Sequence, residues 1–324
     1  MSSSFPLTPG QRGEAIRDLQ RRLGAAGCQP AGAEPGVYCP NTDHAVRAFQ
    51  TARGLRPDGI CDEHTWLALV EASWSLGDRA LYLTSPNLRG DDVAELQTRL
   101  ARLGFDSGRV DGIFGPRTAR AVDDFQVNCG LRPDGVCGTE TVRAILRVSG
   151  QTGDGPGIAA VREREALRSG PASLADCRIV VGQFGGLSSL VRPLARDLRL
   201  HGASVMTLDE PDAVAQALAA NQFAADVYLG FEASDDRSTV VHFYRVPTFE
   251  SHGGRTLAEG LVAQFAVVPQ LRAATDGMRL PVLRETRMPA VLITVGPLRQ
   301  ALDAAPLVVD AALHGLELWI SRAG

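Results

Sequence analysis

Residues 120–137 read RAVDDFQVNCGLRPDGVC, and residues 44–61 read HAVRAFQTARGLRPDGIC. The two stretches share their apolar positions, a Phe-Gln pair, a GLRPDG turn and a closing cysteine. Upstream, DVAELQTRLARLG (92–104) answers AIRDLQRRLGAAG (15–27) in the same way. Gln50 and Gln126 lie 76 residues apart, as do Cys61 and Cys137, whereas Gln20 and Gln97 lie 77 apart. The one-residue difference falls in the loop after Gly27. A duplication of this size means that one supersecondary unit is built twice.

Each copy carries the same physical plan. Leu19 and Leu23, like Leu96 and Leu100, sit four apart and make an apolar helical stripe. A glycine-rich loop follows, with Asp111-Gly112 in the second copy. Thr42 and Thr118 are placed to cap the next helix, which buries Val46 and Phe49, or Val122 and Phe125. A second turn, Pro57-Asp58-Gly59 or Pro133-Asp134-Gly135, leads to a short helix after Thr65 or Thr139. The spacing predicts that the two copies pack as one pseudo-symmetric unit with all four of those core residues buried.

The motifs V-x-x-L-Q-x-x-L-x-x-L-G, D-G-x-F-G-x-x-T-x-x-A-V-x-x-F-Q and G-L-x-x-D-G-x-x-G-x-x-T resemble a peptidoglycan-binding domain of the three-helix type. The first copy departs in its middle, where CQPAGAEPGVYCPNT (28–42) replaces the D-G-x-F-G-x-x-T loop. The resemblance singles out Asp111, Gly112, Phe114, Gly115, Thr118, Phe125, Gln126, Asp134 and Gly135. Most of these are residue types that build turns and core, so they speak for fold first. Binding of peptidoglycan or a muropeptide is what the resemblance implies.

Composition bounds the rest. The chain has 324 residues, 44% hydrophobic and 22% charged, with a net charge of −4, which suits two or three globular domains. Its basic residues are arginines, and the negative balance provides no field for a general nucleic-acid binder. The N-terminus lacks a basic segment followed by an apolar one, and no apolar run is long enough to span a bilayer. The expected setting is therefore cytoplasmic, with Cys28, Cys39, Cys61, Cys129, Cys137 and Cys177 mostly reduced. None forms a C-x-x-C pair. Cys39 with Cys61 and Cys129 with Cys137 remain open as neighbours in space.

Ser149 to Cys177 reads as a boundary. SGQTGDGPG is turn-forming, and IAAVREREALRS has the pattern of a short exposed helix. The expected divisions are a repeat at 8–73, a repeat at 88–148, a linker at 149–176 and a last domain at 177–324. In that domain RIVV (178–181) is a strand, followed by a helix near Ser189 to His201 that Pro193 starts or interrupts. ASVMTL is a strand, and PDAVAQALAANQF a helix with Pro211 in its first turn. ADVYLGFE and STVVHFYR are strands, GGRTLAEGLVAQFAVV a helix, PAVLITVG a strand and APLVVDAALHGLELWI a closing helix. This alternation predicts α/β architecture, one central sheet with helices on both faces, after two α-helical repeats.

Several phrases resemble the zinc-dependent N-acetylmuramoyl-L-alanine amidase domain. RIVVGQFGG stands where that family has a strand and DPGHGG, AADVYLGFEAS where it has ADLFVSIHAN, and MPAVLITVGPL where it has MPAVLVEIGFL. The resemblance implies a His-Glu-His zinc site and a catalytic Glu. Residue by residue, the first His falls on Phe184, and the Glu belongs near Ser188 or Ser189. No Asp or Glu occurs between Asp176 and Asp197. The second His falls on Glu232 and the catalytic Glu on Thr294. Four losses at four motifs predict no metal, no cofactor and no catalytic residue, with Gln183, Phe184, Glu232 and Thr294 left around a pocket open to a ligand or partner. A relocated metal site from His242, His252, Glu232 and Glu250 is the competing reading. His201 reads as a helix C-terminal residue, and His44 and His64 as repeat surface. The GQFGG turn lacks the pattern of a phosphate loop or a serine elbow.

Paired repeats, a linker helix and a depleted amidase domain resemble the amidase-like regulators of cell-wall synthesis in actinobacteria. The resemblance implies a protein partner in peptidoglycan precursor synthesis, such as the UDP-GlcNAc enolpyruvyl transferase. Three functions stay open: an inactive regulator or adaptor, a non-catalytic binder of peptidoglycan or muropeptide precursors, and an amidase with atypical ligands.

Overall fold

The computed structural model describes residues 5–149, 158–236, 238–247, 249–269 and 271–323. The chain divides into two compact units, Met1–Arg162 and Glu163–Gly324.

In the first unit, α1 (Glu14–Ala25), α2 (Pro40–Ala52) and α3 (Glu63–Glu71) form copy one. Copy two consists of α4 (Asp91–Arg102), α5 (Pro116–Asn128) and α6 (Thr139–Ser149). Both middle helices start on a proline at the first helical position, where the fixed φ suits a helix and the missing N–H costs nothing. Thr42 and Thr118 therefore lie inside their helices and do not cap them. The same shift holds in the third helices. Asp62 caps α3 by accepting from the Thr65 N–H, and the counterpart of Thr65 is Thr141, not Thr139.

These threonines serve a different purpose, as parts of four buried glutamine pins. The Gln97 Oε1 accepts from the Asp111 and Gly112 N–H groups at 3.1 and 2.9 Å. Its Nε2 donates to Asp111 Oδ1, the Ile113 carbonyl and Thr118 Oγ1. Gln126 repeats the pattern on Asp134, Gly135, Val136 and Thr141, and Gln50 on Asp58, Gly59, Ile60 and Thr65. Gln20 forms the fourth pin without an aspartate: its Nε2 donates to the Glu34 and Val37 carbonyls and to Thr42 Oγ1, and its Oε1 accepts from Gly36 N–H. A buried amide satisfied on both ends fixes a loop against a helix without leaving a polar group stranded.

Val46, Phe49, Val122 and Phe125 are buried, each 1% exposed or less. They belong to two cores rather than one, Val46 and Phe49 with Leu19, Leu23 and Leu69, and Val122 and Phe125 with Leu96, Leu100 and Phe114. Each three-helix unit turns its apolar stripes inward, which leaves polar faces to meet between copies. One such contact is the ion pair of Arg53 with Asp91 at 2.6 Å. All six cysteines are free thiols.

The linker helix α7 (Ile158–Arg168) precedes the second unit, while residues 150–157 of the glycine-rich boundary lie outside the described residues. The sheet is built from β1 (Arg178–Gln183), β2 (Ser204–Asp209), β3 (Val227–Ala233), β4 (Thr239–Val246), β5 (Phe249–Glu250), β6 (Ala273–Met278) and β7 (Ala290–Val295). Its order is β2-β1-β3-β7-β4, with β6 beyond β4 and β5 folded back on the end of β4. Strands β2, β1, β3 and β7 run parallel, and β4 is antiparallel to β7. Helices α8 (Ser188–Leu200), α10 (His252–Phe265), α12 (Leu298–Asp303) and α13 (Ala305–Ala323) cover one face around Leu194, Leu261 and Leu316. Helices α9 (Ala213–Gln222) and α11 (Pro281–Glu285) cover the other around Ala217, Leu283 and Tyr228.

Two prolines behave differently from their sequence reading. Pro193 neither starts nor interrupts α8, which runs through it. Pro211 lies outside α9, whose cap is Asp212 accepting from Val214 and Ala215 N–H. Among the described residues no helix is long and apolar enough to cross a membrane.

Candidate functional site at the carboxyl edge of the sheet

Strand pleating sorts the side chains of β1, β3 and β7 into two sets. Val181, Leu229 and Ile293 point to the face covered by α8 and α10, and Val180, Tyr228 and Leu292 to the face covered by α9 and α11. Counting by twos along the second set reaches Phe184, Glu232 and Thr294. Glu232 and Thr294 are paired in register, and Gly182 pairs Gly230 two residues below. The three residues thus lie on one face, at the carboxyl ends of three adjacent parallel strands. The chain leaves β1 for β2 on one side and returns to β3 on the other, a topological switch point of the kind where α/β sheets place ligands.

The turn after β1 is held by its own glutamine. Gln183 is 4% exposed; its Oε1 accepts from Leu187 N–H and its Nε2 donates to Ser188 Oγ, both at 3.0 Å. Gly185 and Gly186 take φ of +87° and +75°, a region open to glycine at little cost. Beneath the turn, Gln216 Nε2 donates to the Gln183 and Glu210 carbonyls, and Tyr228 donates its hydroxyl to Gln216 Oε1 at 2.7 Å. Burial pushes the Tyr228 phenol upward, so it stays a neutral donor. A Cβ at position 182 would meet Gln216 Oε1 at 2.1 Å and the Tyr228 hydroxyl at 2.7 Å. Gln183 is therefore consumed in shaping the turn and does not face a ligand.

Phe184 is half-buried against the α9 and α11 face, with no lone pair to offer. Helix α8 has no acidic residue in its first turn, so Ser188 and Ser189 bring only hydroxyls. Glu232 is half-buried. Thr294 Oγ1 is buried without a hydrogen-bond partner among the described residues. A catalytic zinc takes three strong protein donors and keeps a position for water. One carboxylate and a few hydroxyls do not fit it, and among the described residues no group of three or more His, Cys, Asp or Glu side chains is arranged to hold a metal.

The competing set does not converge either. His242 on β4 lies 3.8 Å from Asp276 of β6. Glu250 is paired with Arg255 at 2.9 Å and Arg245 at 3.7 Å, and His252 opens α10. His201 closes α8, its Nδ1 2.8 Å from the Asp197 carbonyl, and His44 and His64 are exposed on the repeats.

In the second copy, Asp111 and the exposed Asp134 each turn one oxygen to a pin: each Oδ1 takes a glutamine Nε2 and a backbone N–H, from Ile113 and Val136 respectively. The Val136 N–H, and then Gln126, hold the Asp134 carboxyl below its usual value. Phe114 and Thr118 are buried, and Gly112 and Gly135 take φ of +71° and +66°. Sequence reading passed over Gln20, Gln50 and Gln97. The signal was there, a glutamine after a leucine or phenylalanine, with a glycine and a threonine at recurring distances behind it.

The two helical repeats agree with what comparison with known proteins finds. The chain matches the peptidoglycan binding domain family at residues 12–69 and 89–145. A relative 34% identical over nearly the whole chain defines its class, and the chain belongs to the N-acetylmuramoyl-L-alanine amidase family. That relative is the N-acetylmuramoyl-L-alanine amidase CwlM of Mycobacterium tuberculosis, aligned over 364 residues that cover 98% of this chain and 89% of CwlM. The N-acetylmuramoyl-L-alanine amidase CwlL of Bacillus licheniformis is 35% identical over 161 residues, 43% of this chain and 45% of its own. Among solved structures, an N-acetylmuramoyl-L-alanine amidase from Clostridium difficile 630 aligns with 46% of this chain and 99% of its own, at 16% identity and a TM-score of 0.37.

Proposed function

We propose that this protein is a catalytically inactive amidase homologue that acts as a regulator or adaptor of peptidoglycan synthesis. The observation that supports the reading is the donor set at the carboxyl edge, where Phe184, Glu232 and Thr294 share one face and Ser188 and Ser189 open α8, the positions to which the resemblance assigns the family's metal ligands and catalytic Glu. Hydrolysis of an amide in this family requires zinc to polarise the carbonyl and acidify water. This chain's residues at the site do other things: Gln183 ties the turn, Tyr228 and Gln216 fill the space below it, and Phe184 closes the apolar face. A cytoplasmic setting and a protein partner among the enzymes of precursor synthesis belong to the same proposal. The double match to the peptidoglycan binding domain family favours one further reading, in which the repeats bind peptidoglycan or a muropeptide without any chemistry.

Protein purified without chelator is expected to carry no stoichiometric zinc by elemental analysis and to release no L-alanine-linked peptide from muropeptides. About one zinc per chain together with turnover would sink the proposal, since three-ligand sites bind zinc firmly. Muropeptide binding by the full chain, measured by calorimetry, would move the weight to the second reading.

Restoring side chains separates depletion from misalignment. The triple variant Phe184→His, Glu232→His, Thr294→Glu is expected to remain inactive, because no carboxylate replaces the missing one at the start of α8. Hydrolysis by that variant would show that the ligand set is more complete than the donor positions indicate.

A further inference from the structure

The strongest contact that the amidase comparison does not absorb lies at the linker helix. Glu163 inserts its carboxylate at the start of α10: Oε1 accepts from Ser251 Oγ at 2.7 Å and from Gly253 N–H at 3.2 Å, and Oε2 accepts from His252 N–H at 3.1 Å. Ser251 is also the α10 cap and accepts from Gly254 N–H. One turn after Glu163, Leu167 packs on the same spot. A Cβ at Gly253 would lie 3.1 Å from Leu167 Cδ2 and 2.9 Å from Pro289 Cγ, so glycine there permits the close approach.

The rest of the helix is loosely held. Val161, Arg162, Arg164, Glu165, Ala166 and Arg168 are exposed, and among the described side chains Glu163 and Leu167, four apart, are half-buried, as is Ile158 at the start of the helix. A helix of 11 residues is too short to persist by itself in water. Its hold on the start of α10 therefore depends on one carboxylate and one leucine, Arg162 pairing instead with Asp106 at 3.1 Å, whereas the sheet and helices it rests on have a core of their own.

We propose that α7 is a releasable strap: Glu163 and Leu167 clip it to the start of α10, and it undocks and unwinds as a local unit while the amidase-like unit stays folded. Docked, the strap fixes the chain that leads into β1 against the lower edge of the sheet, at Pro289 and away from the Thr294 end of β7. Undocked, the chain from residue 158 to Ser173 becomes a free tether that ends where Leu174 and Cys177 enter the core. The device depends on the Glu163 contact and not on catalysis, so it stands or falls independently of the reading given under Proposed function.

The helix supplies its own reporter, because Arg162, Arg164 and Arg168 are trypsin sites. In the full chain under native conditions, Glu163→Ala should speed cleavage after Arg168, where no variant tested alters either residue of the bond, about tenfold, the effect of losing a charge-assisted hydrogen-bond set that holds a local opening closed. Leu167→Ala should act in the same direction. Glu165→Ala, on the exposed side, should leave the rate at the wild-type value. Amide exchange should rise with Glu163→Ala in residues 158–168 and at His252 and Gly253, with β1, β3 and β7 unchanged. Cleavage of Glu163→Ala at the wild-type rate would overturn the strap. So would raised exchange throughout the sheet, since the contact would then be part of the global fold rather than a local clip.

Discussion

Arg79→Ala should destabilise the second repeat by about 3–5 kcal/mol, the usual cost of stranding one partner of a buried ion pair. The side chain left behind is Asp92, 1% exposed. Arg79 grips it with two nitrogens, Nε on Oδ2 at 2.7 Å and Nη2 on Oδ1 at 3.2 Å, and the same Nη2 donates to the Arg89 carbonyl. The guanidinium also lies 4.4 Å from the Trp74 ring centroid. A lysine cannot reproduce a planar fork that serves two oxygens, a carbonyl and a ring at once, so Arg79→Lys should recover only part of the loss. The double variant Arg79→Ala, Asp92→Ala should cost less than the sum of the single ones, because removing both leaves no orphaned charge. Urea melts of the wild type, the two single alanine variants, the double variant and Arg79→Lys check this, and simple additivity would show that the pair is not coupled. Copy one has Ala15 at the position of Asp92, so the pair distinguishes the repeats.

Phe125→Ala is the second large effect, again about 3–5 kcal/mol for an aromatic ring removed from a packed core. The ring is 1% exposed and meets Phe105 edge-on, with centroids 5.5 Å apart and planes at 84°. Because the repeats have separate cores, the damage should be local: amide protection should fall across α4 to α6 and hold in α1 to α3. A loss under about 1 kcal/mol in denaturant melts would place Phe125 outside the core.

Much of this architecture is legible in the sequence where periodicity is strong. The Leu19–Leu23 and Leu96–Leu100 stripes, the turns with aspartate and glycine, the β-branched runs of β1, β4 and β7 and the apolar and aromatic run of β3 each state their element. Strand β6 does not, because AATDGM (273–278) has no apolar alternation and Thr275 alone is β-branched. It is a strand by virtue of the edge that β4 offers, a tertiary cause that no local window contains. Helices α11 and α12 are too short for a period to appear. The threonines misread as caps were outranked by Pro40 and Pro116, which start their helices two residues earlier. At the carboxyl edge, residue identities report what is missing, but only the pleat and register place Phe184, Glu232 and Thr294 on one face. Gln183, counted with them from sequence, is withdrawn by the turn it holds together.

The glutamine pins have a consequence for how such a chain can diverge. Each pin grips mostly main chain: N–H groups and carbonyls that any residue supplies. The Gln20 pin lacks the aspartate that the other three have and its loop is one residue longer, yet the Glu34 carbonyl fills the gap at 3.0 Å, beside the Val37 carbonyl that matches Ile113 in the second copy. Mutation can therefore rewrite the side chains of a loop, and even its length, while the anchor beneath holds the fold. Duplication supplied four such loops, and the first records drift that the scaffold absorbed.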